Sequence, residues 1–208
     1  MAVGRVDAVV QSTDKNFMVP VGGAVVCGPN PDFIEQVGKS YAGRASAAPC
    51  LDLFITLLSM GKEGWQRLLS DREALVEPFR ERLRSLAAAH GERLLESSTN
   101  TISFAITLDT LTRKVYETTS RGGSGYYNFR SSGAAFLGSM LFTRFVSGTR
   151  VVPRGQAKTV AGVKFTGYGA SVTGYPHDYL TAACAVGLSA AELADFSSRL
   201  EKAIRKAK

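Results

Sequence analysis

Apolar and polar positions fall into blocks along this chain, and the blocks predict its elements in order. Val6 to Val10 reads as a short buried strand, and Met18 to Val26 reads as another, interrupted by Pro20 and the Gly22-Gly23 pair. Asn30-Pro31-Asp32 opens a helix through about Lys39, since Pro31 suits a first turn whose N–H has no partner anyway. A small-residue turn, Tyr41 to Ser46, leads into a helix beginning near Ser46. Leu51, Leu53, Phe54, Ile55, Leu57 and Leu58 make that helix apolar almost all round, which predicts deep burial against surface supplied by other parts of the polypeptide.

The period changes after Gly64. Trp65, Leu68, Leu69, Leu75, Phe79, Leu83 and Leu86 mark one face of a long amphipathic helix to about His90, and Pro78 within it predicts a kink. Thr101 to Leu108 alternates like a strand. Arg113 to Ser132 is polar and glycine-rich, as a surface loop would be. Beyond the apolar segment that follows, strands are expected at Leu141–Val146, Arg150–Val152 and Lys164–Thr166, with turns at Ser147-Gly148 and Arg154-Gly155. The alanine-rich stretch Tyr179–Leu188 reads as helical. Ser189 and Glu192 have the spacing of a capping box for a last helix, Ala190 to Lys206.

This order gives an α/β fold class with two portions. Residues 1–60 resemble the closing end of an α/β domain, and residues 61–208 a compact α+β domain carrying a polar insertion at 113–132. Two short strands and one apolar helix cannot enclose a core of their own, so the first portion reads as a piece of something longer.

Composition narrows the class. A hydrophobic content of 45% and a mean hydropathy of +0.01 are globular values. No apolar run approaches the roughly 18 residues of a membrane span, and the N-terminus lacks the apolar core of a signal peptide. Cys27, Cys50 and Cys184 are widely spaced and read as small buried residues of a cytoplasmic protein. His90 and His177 have no ligand-spaced neighbour, so neither a metal site nor a histidine-based triad is expected. The net charge of +7 suits a polyanionic partner, although surface charge also serves solubility.

Candidate chemistry centres on Gln11 to Gly23, where Lys15 stands in a polar turn between two apolar runs. A lysine amine freed of its proton at the rim of an apolar site forms Schiff bases with carbonyls. On spacing alone, a solvated turn lysine is the commoner reading.

Four motifs alter that balance. Lys15 in D-K-N-F, Arg44 in G-R-A-S, the run Leu137 to Arg144 ending L-F-T-R, and Val146 to Pro153 together resemble the C-terminal part of the eukaryotic O-phosphoseryl-tRNA(Sec) selenium transferases, the selenocysteine synthases. The likeness covers nearly the whole chain and is densest in Gln11–Ala48, Leu137–Pro153 and Tyr175–Gly187. Arg113–Ser132 departs from it, being longer than expected there. The resemblance implies a fold type I pyridoxal phosphate enzyme, partial in this chain, with the end of the large domain followed by the small one. It implies a homotetramer that converts O-phosphoseryl-tRNA(Sec) to selenocysteinyl-tRNA(Sec) with selenophosphate. Lys15 would hold pyridoxal 5'-phosphate, Arg44 would bind the substrate's phosphoryl group, and Arg144 would lie near the tRNA acceptor end. Lys206 and Lys208 of the basic tail would add phosphate contacts.

Other readings of these residues stay open. Arg44 also suits a structural ion pair, and Phe142 and Phe145 beside Arg144 fit a core strand. The family's pyridinium carboxylate, phosphate cradle and ring-face surface lie upstream of its lysine, while only fourteen residues precede Lys15 here. The expectation is a fragment that is catalytically silent alone. A stand-alone tRNA-binding or assembly module is the alternative, followed by a fragment of another fold type I enzyme, which the absence of a histidine directly before Lys15 disfavours.

Overall fold

The computed structural model describes residues 4–41, 43–111, 132–170 and 172–208. It divides into two compact units, Met1–Arg67 and Leu68–Lys208.

In the first unit, β1 (Val9–Ser12) and β2 (Ala24–Cys27) form an antiparallel pair running from Val9↔Cys27 to Ser12↔Ala24. Both lie further along the chain than expected. Gly22, at φ +143°, and Pro20 keep the residues before Ala24 out of the ladder. The strands are also not buried: Val10 is largely exposed. The one-turn α1 (Thr13–Asn16) bridges them. Asn30 caps α2 (Pro31–Lys39), its side-chain oxygen accepting the N–H groups of Asp32 and Phe33 at 3.0 and 3.3 Å. The Ser46 hydroxyl oxygen accepts the Ala48 N–H at 3.2 Å, where α3 (Ala48–Ala89) starts.

Two expectations fail along α3. Its first turns are not deeply buried, because Leu51, Phe54, Ile55 and Leu58 are exposed. The only buried side chains among the described residues of this unit are Thr13 and Val19, so nothing here covers that face. The break in the helix falls at Gly61 (φ +61°, ψ −179°), a conformation open to glycine, and not at Pro78.

The second unit has the core. Its four-stranded antiparallel sheet has the order β3 (Leu94–Leu95), β4 (Ser103–Thr107), β8 (Tyr179–Ala183), β5 (Arg150–Val152). Leu75, Phe79 and Leu83 of α3 pack into the cluster containing Phe104, Ile106, Leu180 and Ala182. The Phe79 ring lies 5.7 Å from Phe104 and 6.0 Å from Phe196. α5 (Ala190–Ala207) adds Leu193, Leu200 and Ile204, and it carries the expected capping box, with both halves of the Ser189–Glu192 exchange formed. A separate hairpin joins β6 (Ala157–Val160) and β7 (Val163–Thr166).

Two expected elements change type here. Tyr179–Ala183 is a central strand, not part of a helix: Leu180, Ala182 and Cys184 are buried while the residues between them are not, a period of two. The expected strand Leu141–Val146 is instead the end of α4 (Ser132–Phe142) and its exit, with Ala134, Leu137 and Leu141 buried at helical spacing. Phe142 and Phe145 are therefore exposed and not core residues. The expected loop at Arg113–Ser132 falls on residues outside the description, apart from Ser132, which opens α4. Cys184 is buried as expected, whereas Cys27 and Cys50 are exposed, and all three are free thiols.

Candidate functional site

Lys15 sits where β1 runs into α1, and the turn is held from several sides. The Thr13 N–H and hydroxyl both donate to the Gly23 carbonyl, at 3.1 and 3.0 Å, and the Phe17 N–H donates to the Thr13 carbonyl at 3.0 Å. Gly23 is required there, since a Cβ would come within 2.6 Å of Pro49 Cβ and 2.9 Å of Thr13 Oγ1. The Phe17 and Trp65 rings stack at 5.9 Å. On this fixed tip the Lys15 side chain is 75% exposed, with its ammonium 2.9 Å from Asp14 Oδ2. The Ser12 hydroxyl donates to Asp14 Oδ1. That hydrogen bond first, and Lys15 second, hold the Asp14 carboxyl below its ordinary range. Asp14 is the partner that spacing analysis passed over, although its adjacency to Lys15 was the available signal.

Arg44 lies in the loop before α3, exposed, and has no ion pair or hydrogen bond among the described residues. No carboxylate among the described residues makes the pairing considered for it. Gly43 beside it takes φ +46°.

In the second unit, Arg144 follows α4, and its guanidinium turns back to donate to the Met140 carbonyl at 2.8 Å. The helix exit is a Schellman motif: Val146 N–H donates to the Leu141 carbonyl, and Phe145 N–H to the Phe142 carbonyl, both at 3.0 Å. Phe145 takes the left-handed position usually given to glycine, at φ +58°, with 89% of its surface exposed. Arg199 of α5 donates to the Arg144 and Phe145 carbonyls, each at 3.2 Å. A cleft of about 460 Å³ lies beside this exit, lined by Phe145, Val146, Phe196 and Arg199 among others. Lys206 is exposed on α5, and the Lys208 ammonium donates to the His90 carbonyl.

The two histidines differ: His90 Nε2 is buried with no hydrogen-bond partner among the described residues, and His177 is held at both ring nitrogens. His177 Nδ1 is 2.6 Å from Asp109 Oδ2, and its Nε2 is 2.6 Å from Arg93 Nη2. A guanidinium only donates, so Nε2 accepts there and Nδ1–H donates to Asp109. The lone pair a general base needs is occupied. Among the described residues no group of three His, Cys, Asp or Glu side chains could hold a metal ion, and no helix is long and apolar enough to cross a membrane.

Comparison with known proteins covers almost the whole chain. The sequence model of the family described as O-phosphoseryl-tRNA(Sec) selenium transferase, SepSecS, matches residues 1–205. The chain is similar to the O-phosphoseryl-tRNA(Sec) selenium transferase of Dictyostelium discoideum, with 44% identity over 98% of this chain and 43% of the relative. It is similar to that of Caenorhabditis elegans, with 36% identity over 98% of this chain and 39% of the relative. The chain thus spans about two fifths of the length of these relatives. Its fold matches the crystal structure of an archaeal O-phosphoseryl-tRNA(Sec) selenium transferase with a TM-score of 0.71 and 27% identity, over 95% of this chain and 38% of that one.

Proposed function

Because the chain belongs to the O-phosphoseryl-tRNA(Sec) selenium transferase family, we propose that it forms part of a fold type I, pyridoxal-phosphate-dependent enzyme. That enzyme converts O-phosphoseryl-tRNA(Sec) to selenocysteinyl-tRNA(Sec), with selenophosphate as donor, as a cytoplasmic homotetramer. In this reading residues 1–60 close the large domain and residues 61–208 form the small one. The observation that carries it is the family match over residues 1–205, which includes the D-K-N-F turn.

The Lys15 end of the site fits the cofactor. It offers a primary amine, three quarters exposed, on a turn fixed by the Thr13–Gly23 hydrogen bonds, so a carbonyl can reach it without backbone movement. Pyridoxal phosphate, when bound, supplies an electron sink for charge at the substrate's α-carbon. Lys15 would hold the cofactor through its amine, and its Nζ is the group that would take the α-proton. Arg44, unpaired among the described residues, presents a planar fork to the phosphoryl group and offsets the charge gathering on phosphate as it leaves the β-carbon. Arg144, Lys206 and Lys208 hold the tRNA through its phosphates, which fixes position without reading sequence.

The test joins the chain to the upstream portion of its Dictyostelium relative. Lys15→Ala should abolish formation of selenocysteinyl-tRNA(Sec) and leave tRNA affinity unchanged, and Arg44→Ala should slow turnover by roughly 100-fold, as loss of a charge-stabilising donor does. Turnover that survives Lys15→Ala overturns the assignment. The 208 residues alone, incubated with pyridoxal phosphate, should give no dialysis-stable yellow complex, and a stoichiometric one would show that these residues suffice to bind it.

A further inference from the structure

The positive charge of this chain has one source. From Thr118 to His177 the sequence carries seven Lys and Arg and no Asp or Glu, while the rest of the chain carries eighteen of each sign. The whole net charge of +7 therefore belongs to one segment. Within its described part, three cations are oriented by carbonyl or ring partners, and Arg154 also lies beside the Asp178 carboxylate just beyond the segment. Arg150 Nη2 donates to the Gly169 carbonyl at 2.6 Å, Arg154 Nη1 donates to the Pro176 carbonyl at 3.1 Å, and the Lys158 ammonium lies 5.0 Å over the Tyr168 ring.

The β6–β7 hairpin lies in the middle of this segment. Among the described residues its strands pair only with each other, and every residue of both is exposed. Its tip is a two-residue turn in which Ala161 (φ +48°) and Gly162 (φ +79°) both take positive φ, the geometry that matches strand twist and fixes register. The register sets Lys158 opposite Phe165 and Val160 opposite Val163, so these four share one face. The other face presents Lys164 opposite Thr159. Lys158, Phe165 and Tyr168 thus combine a cation with exposed aromatic surface, while Lys164 supplies a second cation behind them.

We propose that the β6–β7 hairpin is an RNA-contacting arm, with Lys158 and Lys164 on phosphates and Phe165 and Tyr168 against unpaired bases. Charge favours a polyanion: a second copy of this segment brings seven cations and no carboxylate to pair with Lys158, whereas a phosphate backbone brings an anion for each cation it meets. Aromatic side chains beside cations are also how single-stranded bases are held without sequence readout. The proposal rests on the tRNA-dependent reading above for the identity of the RNA, and not for the existence of the arm.

The experiment measures binding of a tRNA(Sec) transcript by fluorescence anisotropy across a salt series. Lys158→Ala/Lys164→Ala should weaken binding roughly tenfold and reduce the slope of log K against log salt by about 1.4–1.8, as expected for two lost phosphate contacts. Phe165→Ala should weaken it roughly tenfold with little change in slope. Unmodified protein should lose amine labelling at Lys158 and Lys164 when the transcript is added, which needs no variant to fold. Unchanged affinity and slope in the double variant overturn the proposal. So does labelling that is indifferent to RNA, or labelling that falls with protein concentration in its absence, which would mark a second copy as the occupant. Loss of turnover in Lys15→Ala is read separately, so the arm and the enzyme assignment fail independently.

Discussion

The two units of this chain differ in what holds them together. Leu68–Lys208 has a continuous core in which α3, α4 and α5 cover a four-stranded sheet, with Ile106, Leu137, Leu180 and Leu200 fully buried. Met1–Arg67 has well-formed local structure, yet Val19 is the only apolar side chain it buries among the described residues. Its elements exist because their local signals are strong: a paired hairpin, an Asn30 cap, a Ser46 cap. Local signals make elements, but only burial makes a unit stable by itself. The face of α3 at Leu51, Phe54, Ile55 and Leu58 is exposed accordingly, having no core in this unit to join.

Core truncation breaks or keeps this contrast most directly. Leu180→Ala, at a fully buried position in the central strand, should cost about 2–5 kcal/mol by denaturant unfolding. Leu58→Ala, at 67% exposure, should cost less than about 0.5 kcal/mol. Comparable losses at both positions would mean the first unit does share a core. Hydrogen exchange reads the same difference without substitutions. Amides of β4 and β8 should exchange only through global unfolding, and those of β1 and β2 through local opening of much lower free energy.

Caps sharpen the contrast at about 1 kcal/mol. Ser189→Ala removes the hydroxyl half of the capping box on α5, a helix that buries Leu193, Leu200 and Ile204, so about 1 kcal/mol should be lost from global stability. Asn30→Ala removes the same kind of bond from α2, which buries no residue, and should loosen α2 while leaving the global midpoint in place. Phe145→Gly has the opposite sign. It relieves a left-handed phenylalanine that is almost fully exposed, and should raise the midpoint by about 0.5–1 kcal/mol.

These caps also mark what the sequence made legible. Asn30-Pro31 and Ser189–Glu192 are read from neighbouring residues, and both helices begin where those residues place them. Tyr179–Leu188 and Leu141–Val146 depart from expectation because an alanine-rich or continuously apolar run carries no decisive period, and its partner in space decides its conformation. β4 and β5 on either side make β8 a strand. The burial forecast for Leu51 to Leu58 took apolar composition as evidence of a partner that these residues do not provide. At the candidate site, Lys15 was legible only through its motif. Its partner Asp14 is adjacent in sequence, whereas the Arg93–His177–Asp109 network joins residues 68 and 84 positions apart that no spacing rule connects.

The finest difference between the units lies in how their carboxylates respond to acid. Ser189 lowers the Glu192 carboxyl below its ordinary 4.5, through its backbone N–H first and its hydroxyl second. Folding then favours the ionised form, so the stabilisation is complete above the ordinary value and is lost as pH falls through the lowered one. Glu192→Gln should flatten that part of the acid limb of global stability, and Ser189→Ala, which keeps the backbone N–H, should only reduce it. Asp178 has the opposite sign, because burial raises its carboxyl above 3.8, so its contribution declines as pH climbs from 3.8 toward the raised value, and Asp178→Asn should remove that decline. Asp14 is lowered by Ser12 and Lys15 and shares the sign of Glu192, but it belongs to the unit without a core. Its protonation should therefore leave the global midpoint unmoved and register only at the turn, as reduced protection of the Thr13 and Phe17 amides relative to their intrinsic exchange as pH falls through the lowered value, an effect absent in Asp14→Asn.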